Sequence, residues 1–467
     1  MEKILELIEE KKYQQVKQEL SSLLVPDVAE ILENIKEDTD LATTFRLLPK
    51  NLGAEVFSYI ESDLQQRLVE LLSDKEIGFI IEELYVDDAV DFIDEMPANV
   101  VEKVLKASTP ETRQTINKLL RYDEDTAGFY MNTEFVDLKS ETTVADALDR
   151  IRKIGKDVET INTLFVTNNE RQLIGMLTIR DVLLATPKDK IKDLMHTNYI
   201  SVDTNCDKEK IAMEFKKYDI LSMPVVDKEN RLVGIVTIDD VVDIISEEAT
   251  EDIELMHAIT PNDKAYLKTS VFKIWLNRVP WLMLLMISAT FTGLIITKNE
   301  ALLNKSAYGV ILTACIPMLM DTAGNAGGQA SATIIRGIAL NEISIKDYFK
   351  VVWKEFRVSI MLGLSLAVVC ILKLLFIDKL YWTDNGILVA SIITFAMFLT
   401  VIVAKFVGCS LPLIAKQLHL DPAVMASPFI TTIIDTLSLL ILCGLTTALL
   451  PMWNYEKFTT RVLLIAI

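Results

Sequence analysis

The stretch PFITTIIDTLSLLIL, residues 428–442, holds one carboxylate, Asp435, in an otherwise apolar run. An ionised Asp facing lipid is expensive, so this one must face a partner or a water-filled path. A second apolar stretch, PMLMDTAGNAGGQ from Pro317 to Gln329, sets Asp321 and Asn325 among a Pro and three glycines. A third concentration of acid is denser: DDVVDIISEEATEDIE, residues 239–254. On a helix its Asp240, Asp243, Glu247 and Glu251 fall three and four apart on one face, and Glu248 and Asp252 widen that face. Like charges so spaced repel. A solvated acidic face is the ordinary explanation, yet more acids stand at Asp87, Asp88 and Asp91 in YVDDAVDFIDEMP and at Asp207, Glu209 and Asp219. Oxygen ligands of this kind hold hard cations such as Mg2+ and Ca2+.

Composition says where such chemistry can sit. The 467 residues carry a net charge of -19, while their mean hydropathy is positive. Residues 1–277 hold 33 basic against 56 acidic residues and residues 278–467 hold 14 against 10, so the front is -23 and the back +4. An acidic water-soluble part thus precedes a membrane part. That negative field excludes nucleic acid, whose phosphates it repels, and suits a cationic partner, a merely soluble surface being the alternative. The chain opens MEKILELIEEKKYQQ, charged and amphipathic, so no secretory leader is expected and the front should stay in the cytoplasm. Five scattered cysteines and three isolated histidines indicate neither a disulfide framework nor a thiolate or imidazole metal centre. No nucleophile and base or phosphate loop suggests an enzyme.

Five apolar segments, near 279–297, 306–335, 356–377, 386–415 and 422–450, are long enough to cross about 30 Å of hydrocarbon. Lys264, Lys268, Lys273 and Arg278 precede the first, and Arg336, Lys346, Lys350, Lys354 and Arg357 follow the second. Positive loops stay inside, which puts a multi-pass protein in the plasma (inner) membrane with its N-terminus cytoplasmic and its C-terminus outside. The Pro and glycines of 317–329 predict a broken second helix, packed in protein or lining a wet cavity. Lys373 and Lys405 are expected near helix ends, their stems reaching the interface.

Within the soluble half, residues 131–186 and 195–249 repeat: LIGMLTIRDVL at 173–183 matches LVGIVTIDDVV at 232–242, and MNTEFVDL from Met131 matches MHTNYISV from Met195. Each copy reads as strand, helix, two strands and closing helix, and the pair resembles tandem CBS domains. That resemblance implies a nucleotide such as ATP at G-x-x-T-x-x-D, the candidates being Thr178, Arg180 and Asp181, or Thr237 and Asp240 in the second copy. Simple helix capping by Thr and Asp is the alternative, preferred for the second copy, where Asp239, Asp240 and Asp243 would repel phosphate. Residues 1–130 read as short helices whose prolines, Pro26, Pro49 and Pro97, suggest a repeat of about 24 residues and a superhelical stack.

A helical acidic domain (1–130), a CBS pair (131–249), a connecting plug-like helix (250–277) and five spans (278–467) carrying GNAGGQ and LPLIAKQLHLDPAVMASPFITTIIDTL together resemble the MgtE family of magnesium channels. The expected class is multidomain: an all-α superhelical N-terminal domain, an α/β CBS pair and an α-helical membrane domain of five spans. The resemblance implies a homodimer in a lipid bilayer with its pore on the dimer axis, lined by the second and fifth spans. It implies Asp435 as the pore acid, Asp421 near the cytoplasmic mouth and Asn325 at the break in the second span. It implies regulatory Mg2+ at Asp87, Asp91, Asp207, Glu209, Asp219, Asp240, Asp243, Glu248, Glu251 and Asp252. Ser438, Gly328 and Ala330 depart from residues common in that family. The function so implied is Mg2+ uptake gated by internal Mg2+. Two alternatives are an ion-coupled carrier for Mn2+ or Co2+ and a nucleotide-responsive membrane sensor that transports nothing.

Overall fold

A computed structural model describes residues 1–262, 266–267, 269–305, 308–383, 386–424 and 427–449. The chain forms two compact units, Met1–Ile245 and Ser246–Ile467.

The first unit begins with ten short helices between Glu2 and Leu119. From Asp38 their starts are evenly spaced, at Lys50, Ser62, Asp74, Val86, Ala98 and Pro110. One helix with its turn is therefore half of the repeat that the prolines suggest, which spans two of them. Each helix turns one apolar stripe inward, as in Ser62–Leu71, which buries Leu64, Leu68 and Val69. The stripes stack on the helix two places along: Val25–Glu33 on Lys50–Tyr59, that on Asp74–Glu83, and that on Ala98–Ala107. The helix that matters for the site is Val86–Asp94, here α1.

The CBS pair follows. Its first copy comprises β1 (Phe135–Lys139), α2 (Val144–Ile154), β2 (Thr160–Thr167), β3 (Leu173–Thr178) and α3 (Ile179–Leu184). The second comprises β4 (Val202–Asp203), α4 (Lys208–Tyr218), β5 (Ser222–Val226), β6 (Leu232–Thr237) and α5 (Ile238–Met256). Each sheet has three strands, the first pair parallel and the second antiparallel. The copies exchange their opening residues. Asn132 bridges to Ile235 of the second sheet, and His196 to Met176 of the first. A Cβ on Gly234 would lie 2.8 Å from the Met131 side chain, and one on Gly175 2.9 Å from Met195 Sδ. The repeated L-x-G keeps its glycine because the other copy's methionine lies against it.

Among the described residues five helices are long and apolar enough to cross a membrane. The first is made of α6 (Val271–Ser288) and α7 (Thr290–Lys298); the others are α8 (Gly309–Ala339), α9 (Tyr348–Leu372, extended to Ile377 by a wider turn), α10 (Gly386–Gln417) and α11 (Ser427–Leu449). Residues 450–467, where the chain end was expected outside, lie beyond the described residues.

Three expectations change. The second span is unbroken: α8 runs 31 residues with Pro317 inside it, because its small residues serve close helix packing while the helix satisfies its own backbone. The connecting segment is not one helix from 250 to 277, since α5 ends at Met256, Ala258 takes a left-handed φ of 55° and α6 begins at Val271. Lys405 does not reach the interface; its side chain is 7% exposed. Lys373 does behave as a helix-end lysine and pairs with Asp378 at 2.6 Å. Ser438, buried where Gly is common in the resembled family, donates its hydroxyl to the Ile434 carbonyl at 2.7 Å and is thereby satisfied within its own helix.

Candidate cation sites

In the first unit the acids collect where α1 meets the CBS pair. Val86, Ala89, Val90, Phe92 and Ile93 bury the apolar face of α1, and Asp87 goes in with them at 6% exposure. Its Oδ1 accepts from the Asp88 backbone N–H and from Asn132 Nδ2, each at 3.0 Å. The same Asn132 Nδ2 donates to Glu159 Oε2 at 3.0 Å. One amide thus holds two carboxylates side by side. Glu134 accepts from the Val86 backbone N–H at the start of α1, a favourable place for a carboxylate.

These acids repel one another in a dry place. Burial, then the charges of Asp240 and Asp239, push Asp88 up to about 7. Burial, then Asp87, Asp239 and Asp240, push Glu159 up to about 9. Burial and the Asp157 charge raise Glu134 to about 7 against the Val86 hydrogen bond. Asp87 and Asp240 are raised too, by burial first and then by Asp88 and by Asp87 respectively. The Thr237 hydroxyl, 2.8 Å from Asp240 Oδ2, opposes that rise. Asp87 and Asp240, far apart in sequence, are therefore neighbours, joined by Asp88 and Asp239, which the sequence reading named without making them ligands, and by Glu134 and Glu159, which it missed. Glu159 stands alone in VETINTL, so nothing local marks it.

Asp207 caps the start of α4, its Oδ1 accepting from Glu209 N–H at 2.9 Å. Asp219 closes the same helix with a left-handed φ of 51°, about 18 Å along the axis. Asp91 and Asp243 are exposed. Among the described residues no three His, Cys, Asp or Glu side chains converge closely enough to grip a bare ion. In the second unit, Asp252 is pushed up to about 6 by burial, then by Asp421 and Glu248. Asp421 Oδ1 accepts from Ala423 N–H at 2.8 Å, and Ala423 packs with Ile335 against Leu255 and Met256 at the end of α5.

Thr178 and Asp181, candidates for a nucleotide, cap α3 reciprocally: the Thr178 hydroxyl and N–H donate to Asp181 Oδ2 at 2.7 and 2.8 Å. Arg180 is exposed beside them.

In the membrane domain, Asp321, Asn325 and Gln329 are exposed while Ala323, Gly324, Ala326, Gly327 and Ala330 are buried. The exposed residues fall four apart, one polar stripe along α8. Asp435 is half-buried on α11, the helix packed against α8. The packing behind the stripe is tight. A Cβ on Gly327 would meet Ile434 Cδ1 at 2.2 Å and the Ala404 carbonyl oxygen at 3.1 Å. Asp321 and Gln329 were legible as Asn325 minus and plus four, a signal the glycines around them obscured.

Comparison with known proteins matches three family models: a divalent cation transporter model over residues 316–445, the MgtE intracellular N domain over 23–125 and CBS domains over 127–188 and 191–247. The magnesium transporter MgtE of Thermus thermophilus is 33% identical over 85% of this chain and 86% of its own. That of Bacillus subtilis is 32% identical over 88% and 91%. A solved structure described as the soluble part of a magnesium transporter is 27% identical with TM-score 0.50, covering 53% of this chain and 96% of that one.

Proposed function

The chain belongs to the MgtE family of divalent cation transporters, and from there we propose that it is a homodimeric Mg2+-selective channel whose opening is set by internal Mg2+. The observation that carries the reading is the exposed stripe of Asp321, Asn325 and Gln329 on α8, with half-buried Asp435 on α11, the helix packed against it. Two chains related by a membrane-normal axis would face these stripes across a wet path. Mg2+ gives up its water reluctantly, so carboxylate and amide oxygens there hold the cargo through its hydration shell. Asp421 stands toward the cytoplasmic mouth.

Control rests on the acids. The donor set at α1 and the CBS pair is oxygen only and crowded with negative charge, which fits a hard cation. Asp87, Asp91, Asp207, Glu209, Asp219, Asp240, Asp243, Glu248, Glu251 and Asp252 would hold Mg2+, which when bound supplies the positive charge that offsets their repulsion. Without it the carboxylates push their elements apart. The end of α5 touches Ile335 of α8 and Ala423 before α11, so displacement of that helix reaches the pore helices. A nearly complete switch needs about 5.5 kcal/mol of differential binding, which calls for several sites acting together. At the first CBS copy ATP would use exposed Arg180 for phosphate and Asp181 for ribose, at the expense of the Thr178 cap. Equilibrium binding of labelled ATP to the wild type and to Arg180→Ala checks that part.

The test is divalent flux into liposomes. The wild type should pass Mg2+ without a Na+ or H+ gradient, Asp435→Ala should not, and deletion of residues 1–130 should remove inhibition by internal Mg2+. Flux that needs a gradient would make the protein a carrier, and no flux at all would leave a sensor.

A further inference from the structure

Lys405 lies on α10 well short of the helix end at Gln417. Its Nζ is 3.6 Å from Glu355 Oε2 on α9, the two side chains 7% and 14% exposed. That oxygen accepts no hydrogen bond among the described residues. A second polar contact joins the same helices, Tyr348 Oη to Ser410 Oγ at 3.2 Å. Moving forward along α9 from Tyr348 to Glu355 moves backward along α10 from Ser410 to Lys405, so both contacts report one antiparallel register.

Burying such a pair costs desolvation that its attraction at best roughly repays, so stability alone does not account for it. Register does. Apolar helices in lipid have little to stop them sliding past each other, whereas a charged pair has one position in which both members are compensated. The helix it fixes is the one behind the polar stripe. Ala404, beside Lys405, turns its carbonyl toward Gly327, and Gly408, one turn on, lies against the Gly327 backbone. The same position on Gly327 also meets Ile434, the residue before Asp435.

We propose that Glu355 and Lys405 are positioning residues for conduction: their buried pair sets the register of α10 on α9, and α10 in turn holds Gly327, and with it the Asp321–Asn325–Gln329 stripe, against Asp435. The proposal rests on reading α8 and α11 as the pore helices.

Full-length wild type, Lys405→Met, Glu355→Gln and the exchanged pair Glu355→Lys with Lys405→Glu are compared in liposomes, with flux counted per folded molecule. Each single change is expected to lower Mg2+ flux by about tenfold or more and to alter the Mg2+ to Ca2+ ratio, as displacement of a reacting or coordinating group by an ångström does. The exchanged pair should bring both back to within about threefold of wild type. A merely structural pair would lower yield and melting temperature while the ion ratio of the folded molecules stayed put; that result, or single variants within about twofold of wild type in flux, overturns the proposal. If the single variants do not fold, Glu355→Asp with Lys405→Arg decides, because it keeps both charges and moves the contact. A changed ion ratio then supports the proposal and an unchanged one overturns it. Absence of divalent flux in the wild type would instead overturn the channel reading beneath it.

Discussion

Gly408 of α10 and Gly327 of α8 meet backbone to backbone: a Cβ added to Gly408 would lie 2.2 Å from the Gly327 carbonyl oxygen and 3.0 Å from its Cα. No side-chain rotation relieves a contact with backbone, so the helices must part.

Gly408→Ala should therefore cost about 1–3 kcal/mol, the usual range for overpacking, and lower Mg2+ flux in the fraction that folds. Melting in detergent and liposome flux measure the two effects. Gly53→Ala is the control. A Cβ there meets only Phe45 and Leu48 at 3.8 and 3.9 Å inside a helix, and the change should be neutral or stabilising by about 0.5–1 kcal/mol.

Asn132→Leu takes away the one amide that serves both Asp87 and Glu159. Leaving buried acids without their hydrogen-bond donor costs about 1–3 kcal/mol, and the metal-free protein should lose about that much. Denaturant titration in EDTA checks it. Added Mg2+ should recover more stability in the variant than in the wild type, since the cation then carries the whole task of holding the two acids together.

The pH dependence follows from the same acids. Their unfolded values lie at 3.8 and 4.5, while in the fold Asp88 and Glu134 stand at about 7 and Glu159 at about 9. Between those limits the folded chain binds more protons than the unfolded one, so stability falls as pH rises. Melting in EDTA should drop steadily from about pH 5 to about pH 9, and millimolar Mg2+ should raise it far more at the upper end. A melting temperature that climbed with pH would contradict the burial of these carboxylates.

The acidic front, the CBS repeat and the five spans were legible because each leaves a local mark: a charge run, a repeated L-x-G-x-x-T, a long apolar stretch. What was not legible depends on contacts between distant segments. Met131 against Gly234 and Met195 against Gly175 link one copy to the other, and no pattern inside either copy announces the exchange. Lys405 reads as an interfacial lysine until Glu355, on the preceding span, is placed beside it. Glu159 is an unremarkable acid until Asn132 bonds it to Asp87. The glycines after Pro317 suggested a break because glycine disfavours helix in water; in α8 they allow Gly408, Thr431 and Ile434 to approach, and the helix persists.

Asp321 and Asp435 should not be equivalent. Asp435 comes from the middle of α11, half-buried, whereas Asp321 heads an exposed stripe whose other members, Asn325 and Gln329, are neutral. A carboxylate about 6 Å from Mg2+ contributes about 5.5 kcal/mol at an effective dielectric of about 20, and far less where water fills the path. Losing Asp321 as Asn keeps the side chain's shape and a coordinating oxygen, so the Mg2+ concentration for half-maximal flux should rise by about tenfold with the maximal flux largely kept. Losing Asp435 removes the carboxylate that the pore reading places on the ion path, and flux should vanish at every concentration. Flux measured against external Mg2+ for Asp321→Asn and Asp435→Ala separates the two patterns. An unchanged half-maximal concentration in Asp321→Asn would place the head of the stripe off the ion path.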